Sequence, residues 1–199
     1  MFEFQSCSME DYLLPSDIIN FNIPFMQEKI AGLGLSGLNE TELVKKAYEH
    51  VRDTFPHSGD IMGEGVSLTA SDVILNGHGI CYAKSHLLTA ILRSFGIHSG
   101  FCYQHLLLTD DCDKPIIHAI NAVYLKTLDK WIRLDARGNK PGVDAQFSID
   151  EEKLAFPVRK EFGEEDGFLI YSQPANTVVS VLQSSKTVAE LMDNLPEFI

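Results

Sequence analysis

Cys81 stands at a position where the chain can turn a thiol into a nucleophile. It follows Gly77 and Gly79, which interrupt the chain, and it opens an apolar run at helical spacing that ends before Gly96. Glycine at that point is typical of a left-handed helix C-cap. Because a helix N-terminus carries roughly half a positive charge, it favours the thiolate, which is the reactive form of cysteine. The alternative is a small cysteine buried in the core.

His118 and Asp135 could complete such a site. Residues 116–125 and 131–135 are predicted as consecutive strands, and the connection between them is short enough for a hairpin. We therefore predict that His118 and Asp135 are neighbours. An imidazole can form an ion pair with a thiol, while a carboxylate on its other nitrogen fixes the tautomer. The alternative is three unrelated residues: a core cysteine, a satisfied histidine and a surface aspartate.

The length of the hairpin loop decides which face Asp135 occupies. Side chains alternate between the two faces of a strand, so a slip of one residue moves Asp135 to the other face. A four-residue loop pairs Tyr124 with Trp131 and places Asp135 opposite Ile120, diagonal to His118. A two-residue loop would place Asp135 directly opposite His118. We predict an even loop, preferably of four residues, or an odd loop corrected by a bulge.

The remaining pattern predicts an α+β fold in which an antiparallel β-sheet packs on the cysteine helix. Residues 40–53 are predicted as a helix with Asn39 as N-cap and Glu42 three residues later. One domain is expected over 1–199, with a core at about 40–140 and both terminal extensions packed on it. Further expectations are a helix starting near Pro24, a helical turn capped by Ser71 with Val73, Ile74 and Leu75 packed inward, strands at 2–4, 97–108, 167–171 and 177–182, a turn at 110–114, extended pieces at 147–149 and 154–158, and a helix at 188–195.

Composition and charge exclude several classes of partner. The net charge of −12 in 199 residues argues against nucleic acid and anionic membranes as partners. The acidic runs at 150–152 and 161–166 are predicted to be solvated surface. The start of the chain lacks a secretory signal, and no apolar stretch reaches about 18 residues, so we expect no membrane span. Four cysteines without a CxxC pair indicate reduced thiols and a cytoplasmic protein.

The segment from Asp72 to Asp135 resembles the transglutaminase-like superfamily, which shares the architecture of papain-like cysteine peptidases. The resemblance rests on four stretches of sequence, and it extends over nearly the whole chain to compact bacterial transglutaminase-like proteins. The four stretches are Gly79-Ile80-Cys81, the run from Leu92 to Ile97, His118-Ala119, and Trp131-Ile132-Arg133-Leu134-Asp135; the extension adds Val51-Arg52-Asp53 with His57-Ser58, the run from Cys81 to Leu88, the run from Asp135 to Lys140, and Leu195-Pro196.

The resemblance implies Cys81 as nucleophile, His118 as base and Asp135 as the residue that orients the base. It implies acyl transfer on a peptide or protein amide, by hydrolysis or transamidation, without a cofactor or metal. Many members carry an aromatic residue two positions after the histidine, where this chain has Ile120. The backbone N–H of Cys81 is one expected donor to the oxyanion, and the sequence identifies no side-chain donor.

Three further interpretations stay open. His57 is either a solvated histidine of a polar loop at 57–60 or, because that loop matches the bacterial group, a residue that lines the site. A zinc site could use Cys81 with His78, His105, Cys112 and His118, although the paired short spacings of zinc sites are missing. The chain could also be a non-catalytic binding module with the same fold.

Overall fold

The helices and strands follow the predicted α+β order. A computed structural model gives the structure of residues 2–109 and 112–199. The helices and strands are β1 (Glu3–Phe4), α1 (Pro24–Ala31), α2 (Glu40–Thr54), α3 (Ser58–Ile61), α4 (Ala70–Asn76), α5 (Cys81–Ser94), β2 (Ser99–Thr109), β3 (Cys112–Leu125), β4 (Lys130–Leu134), β5 (Glu165–Asp166), β6 (Leu169–Ile170), α6 (Asn176–Ser184) and α7 (Val188–Asp193). Short 3-10 turns lie at Met9–Tyr12, Lys126–Leu128 and Lys160–Phe162.

An antiparallel sheet packs against α5, as the sequence predicts, and the structure gives its strand order as β4-β3-β2-β5. The hairpin between β3 and β4 pairs Leu125 with Lys130, so its loop has the predicted four residues. Tyr124 lies opposite Trp131, with 5.5 Å between the ring centroids. This register confirms the parity prediction and places Asp135, the residue after β4, on the face of His118.

Helix α5 lies at the centre of the core. It begins at Cys81, ends at Ser94, and buries every side chain from Cys81 to Arg93. Gly96, with φ of 74°, has the left-handed conformation predicted for it. Because protein surrounds this helix on all sides, its sequence shows no distinct polar face.

The two cations of α5 are held by backbone carbonyls. Lys84 is fully buried, and its Nζ donates hydrogen bonds to the carbonyl oxygens of Arg52 and Arg137. Near the other end of the helix, Arg93 donates to the carbonyl oxygens of Leu14, Ser99 and Ser172. Both ends of the helix are thereby tied to distant segments.

Truncation of Leu88 tests how tightly this helix is packed. Leu88 is fully buried, so Leu88→Ala removes apolar contacts and leaves a cavity. We expect a loss of about 2–5 kcal/mol in the free energy of unfolding, measured by urea denaturation. Leu75→Ala is the control, because Leu75 is 67 % exposed. Equal stabilities of the two variants would contradict the burial of Leu88.

Several local predictions are confirmed. Helix α1 begins at Pro24, which occupies its first turn. The Asn39 side chain caps α2 by accepting a hydrogen bond from the Glu42 N–H at 3.0 Å. The strands expected at 2–4 and 167–171 form as β1 and β6, which pair in parallel.

Among the described residues, no helix is both long and apolar enough to cross a membrane.

Other local predictions are wrong. Residues 177–182 lie in α6 and form no strand, because Val178, Val181 and Leu182 face the core at helical spacing although the segment is rich in valine. Thr69, rather than Ser71, caps α4 through a capping box, and Leu75 points to solvent.

The turn at 110–114 and the acidic runs also need correction. Residues 110 and 111 lie outside the described residues, and β3 already begins at Cys112. The acidic runs are only partly solvated surface. Glu164 is buried and accepts hydrogen bonds from Leu107 N–H and Arg159, while Glu152 and Asp166 bind the buried Arg133.

Candidate active site

Cys81 is the first residue of α5, and the backbone before it is held against a second segment. His57 and Gly79 form a parallel bridge in which Ser58 N–H donates to the Gly79 carbonyl at 3.1 Å. Close packing of this residue against the helices on either side favours glycine, since a Cβ at Gly79 would lie 3.2 Å from the Cβ of Ala83 and 3.3 Å from Val73 Cγ2. This explains one of the two glycines before the helix. The other, Gly77, ends α4 with a φ of 74°.

His118 projects from β3 and binds Asp135. Its Nε2 lies 2.7 Å from the Asp135 Oδ2, and both side chains are buried. Phe156 packs edge-on against the imidazole, with 5.1 Å between the ring centroids. Because Nε2 faces the carboxylate, Nδ1 is the ring nitrogen left for the Cys81 thiol.

Backbone N–H groups hold the Asp135 carboxylate in place. Oδ2 also accepts a hydrogen bond from Ala155 N–H at 2.9 Å, and Oδ1 accepts one from Arg137 N–H at 3.0 Å. Burial acts to raise the pKa of Asp135, but the charge of His118 and these hydrogen bonds outweigh it and lower the pKa. The carboxylate therefore stays ionised beside the imidazole.

The imidazole of His118 is held in its charged form. Burial acts to lower its pKa, but the charge of Asp135, then that of Cys81, and hydrogen bonds to both raise it to about 10. At neutral pH this favours an imidazolium next to the thiol sulfur. The structure thus brings together the three residues that the sequence singled out.

Cys81 and His118 line a small apolar cavity of about 110 Å³, and Asp135 contacts His118 from outside its lining. Cys81 is only 8 % exposed. Most of the lining residues are apolar and come from α5, the sheet, the segment after β4 and the C-terminal segment. They are His57, Ile80, Cys81, Tyr82, Leu108, Ile116, Ile117, His118, Arg137, Phe156, Met192 and Leu195.

The C-terminal segment, defined here as residues 188–196, covers one side of this cavity. Met192 and Leu195 line it, the Pro196 carbonyl accepts a hydrogen bond from Ile117 N–H at 3.0 Å, and Lys114 Nζ donates to the Asp193 carbonyl. Sequence reasoning predicted the helix here but missed its place at the site, because nothing in the local pattern indicates which distant surface a short helix covers.

His57 is a buried residue of the site and not a solvated loop histidine. The predicted loop forms the short helix α3, and the His57 Nδ1 caps it by accepting a hydrogen bond from Gly59 N–H at 3.2 Å. Burial, together with the positive charge of Arg137, lowers the pKa of His57 to about 3. The ring is therefore neutral at neutral pH.

Two charged groups around the site were also missed by sequence reasoning. Arg137 makes a two-pronged ion pair with Asp60 at 2.6 and 2.9 Å, which fixes α3 to the loop after β4. Lys84 is the second, since burial lowers its pKa to about 7. Lys84 stands in the helical run that begins at Cys81, and the residue pattern of that run does not indicate that its ammonium group is buried.

The structure does not support the zinc interpretation. In residues 2–109 and 112–199, no group of three or more His, Cys, Asp or Glu side chains is arranged to hold a metal ion. His78 instead bonds Ser58 Oγ at 2.9 Å, and His105 stacks on Phe198. Cys7, Cys81 and Cys102 are free thiols, and the Cys112 side chain lies outside the described part of the molecule.

Comparison with known proteins places this geometry in a family. A candidate cysteine protease from Cytophaga hutchinsonii has a similar structure, with a TM-score of 0.54 and 21% sequence identity. The similarity covers 66% of this chain and 43% of that chain, so this chain spans less than half the length of that relative. No curated protein matches significantly.

The model of the transglutaminase-like superfamily matches residues 32–136, a range that contains Cys81, His118 and Asp135. Since this match covers more than half of the chain, the protein belongs to the transglutaminase-like superfamily.

Proposed function

We propose that the protein is a cysteine-dependent acyl-transfer enzyme that acts on amides of peptides or proteins. In this proposal Cys81 is the nucleophile, His118 is the general base and acid, and Asp135 orients His118. The observation that carries it is the buried 2.7 Å contact between His118 Nε2 and Asp135 Oδ2, with Cys81 on the other side of the imidazole. The family and the fold both support a cysteine-dependent enzyme.

The first half of the reaction forms an acyl-enzyme. In the ion pair the thiol proton already resides on His118, and the Cys81 thiolate attacks the carbonyl carbon of the amide. The carbonyl oxygen becomes an oxyanion beside the N–H groups at the start of α5. The imidazolium then donates its proton to the amide nitrogen, the C–N bond breaks, and an amine or ammonia leaves behind a thioester on Cys81.

The second half transfers the acyl group to water or to an amine. His118 removes a proton from the incoming nucleophile, which attacks the thioester carbon, and the C–S bond breaks. Water gives a carboxylic acid and an amine gives a new amide. The thiolate is regenerated next to the imidazolium, so both outcomes share all three residues.

We also propose that residues 1–199 act as one domain with its core at about 40–140. The terminal segments support this, since β1 pairs with β6 and the C-terminal segment contacts the strand that carries His118. Tyr12 reinforces the contact at the N-terminal end by donating a hydrogen bond to the Ile170 carbonyl.

Alkylation of the thiols tests whether Cys81 is activated. We expect iodoacetamide at about pH 6.5 to modify Cys81 at least ~10-fold faster than Cys7, because an ion pair with His118 supplies thiolate. Accessibility alone gives the opposite order, since Cys7 is exposed and Cys81 is buried. Peptide mapping by mass spectrometry measures both rates in one sample. His118→Gln is the control that removes the imidazole and should abolish the advantage of Cys81.

A mixed peptide pool with hydroxylamine tests the reaction itself. Hydroxylamine captures an acyl-enzyme as a hydroxamate, whereas water gives the acid, so mass spectrometry of the peptides detects either outcome. We expect both products from the wild type and neither from Cys81→Ala. Slow alkylation of Cys81, together with no acyl product, would favour the non-catalytic binding module.

A further inference from the structure

The oxyanion formed in the proposed reaction needs more than one hydrogen-bond donor. The Cys81 N–H is one, because the first N–H groups of a helix have no acceptor within the helix. A second donor must reach the same cavity from outside α5. The sequence did not identify that residue.

His57 carries a ring N–H that the fold leaves available. Its Nδ1 accepts the hydrogen bond from Gly59 N–H, so Nδ1 carries no proton. The ring is neutral, and its single proton must therefore reside on Nε2. No described residue hydrogen-bonds to Nε2, although the side chain is only 9 % exposed and lines the cavity of Cys81.

The backbone fixes His57 beside the nucleophile. The bridge between His57 and Gly79 sets the two segments side by side, at the spacing of paired strands, about 4.8 Å. Gly79 stands two residues before Cys81. The ion pair between Asp60 and Arg137 anchors α3, so the backbone is held on both sides of His57.

The other polar side chains of the cavity have hydrogen-bond partners of their own. Tyr82 donates its hydroxyl proton to the Ile117 carbonyl at 2.7 Å, and the terminal nitrogens of Arg137 face Asp60. His118 is occupied by Asp135 on one side and by the thiol on the other.

We propose that the Nε2–H of His57 is the side-chain donor of the oxyanion hole, acting together with the backbone N–H of Cys81. This rests on the proposed acyl-transfer function. His57 is thus a catalytic residue that holds the reacting oxygen and transfers no proton itself.

Two substitutions separate this role from the capping of α3. In His57→Asn, the amide oxygen can replace Nδ1 as the cap, but the side chain is too short to place an N–H where Nε2 lies. In His57→Gln, the amide nitrogen reaches the position of Nε2, while the cap is lost. His57→Asn therefore loses the proposed Nε2–H donor and keeps the cap, whereas His57→Gln keeps a donor and loses the cap.

We expect His57→Asn to lower kcat of peptide cleavage by about 10²–10³-fold, and His57→Gln to recover at least ~10-fold of that loss. A peptide aldehyde, which forms an oxyanion-like adduct with Cys81, should bind His57→Asn about 100-fold more weakly than the wild type.

Alkylation by iodoacetamide forms no oxyanion, so its rate at Cys81 should match the wild type in both variants. The pH profile of kcat should keep its shape in His57→Asn, because a neutral donor does not titrate between pH 5 and 9.

The outcomes distinguish the two proposals. If the wild type turns over peptides and His57→Asn keeps both its kcat and its aldehyde affinity, the role of His57 is wrong while the acyl-transfer function stands. A shifted pH profile, or slower alkylation of Cys81 in His57→Asn, would also overturn the oxyanion role. A wild type that binds the aldehyde no better than Cys81→Ala does would overturn both proposals.

Discussion

Asp135→Asn should lower kcat by about 10³–10⁴-fold while the protein still folds. The carboxylate accepts three hydrogen bonds, from His118 Nε2 and from the N–H groups of Ala155 and Arg137. An amide has one oxygen and one NH₂ group, so at least one of these donors then meets another donor. Since the amide carries no charge, it also leaves the imidazolium without its main stabilising partner.

The variant should also be less stable by about 1–3 kcal/mol, because a buried donor loses its acceptor. Steady-state kinetics and urea denaturation measure the two effects separately. Asp72→Asn is the matched control, since the Asp72 carboxylate accepts two backbone N–H bonds in the capping box of α4, far from His118 in the chain and outside the cavity. Its stability should fall while its kcat stays near that of the wild type. Equal kcat values for Asp135→Asn and the wild type would remove Asp135 from the site.

Relative to the wild type, Lys84→Met should lose about 2–3 kcal/mol of its free energy of unfolding as the pH rises from 7 to 9. Two buried groups titrate in opposite directions in this interval. The folded pKa of His118, about 10, lies above its unfolded value of 6.5. Its stabilising effect is therefore complete below pH 6.5 and is lost as the pH rises through 10.

Lys84 acts in the other direction. Burial lowers its folded pKa from 10.5 to about 7, so the penalty for its charge is complete below pH 7 and is relieved as the pH rises towards 10.5. Each group alone changes the stability by about 1 kcal/mol per pH unit, and in the wild type the two slopes largely cancel. Lys84→Met leaves the falling slope of His118, and His118→Gln should leave the rising slope of Lys84.

Urea denaturation at pH 7, 8 and 9 measures these slopes. Other buried groups contribute little between pH 7 and pH 9. His57 and His86 have lowered pKa values and titrate below this interval, whereas the raised pKa of Cys102 affects stability mainly above it. Lys45→Met is the control, because the Lys45 side chain is 53% exposed. Parallel pH profiles for the wild type and Lys84→Met would show that the Lys84 ammonium group is not held as the structure indicates.

The candidate triad could be predicted because local rules determine it. Glycines and an apolar run position Cys81 at a helix start, and strand parity with a four-residue loop brings Asp135 to the face of His118. The same rules mistook α6 for a strand, because a run of β-branched residues favours a strand until tertiary packing selects the helical face.

The surroundings of the triad could not be predicted, because they depend on contacts between distant segments. His57 is polar and flanked by loop-forming residues, and its burial depends on the packing of Gly79 and the C-terminal segment around it. Lys84 can be buried because two backbone carbonyls, 32 and 53 residues away in the chain, accept hydrogen bonds from its ammonium group. No spacing within one segment records such contacts.

The C-terminal segment gives the site an order of assembly during translation. Cys81, His118 and Asp135 leave the ribosome before Met192 and Leu195, which lie roughly 60 residues beyond Asp135. At ~5–20 residues per second, this interval lasts roughly 3–12 s. The nascent chain therefore exposes the Cys81 thiol, which we propose as the nucleophile, before Met192 and Leu195 are available to cover one side of its cavity.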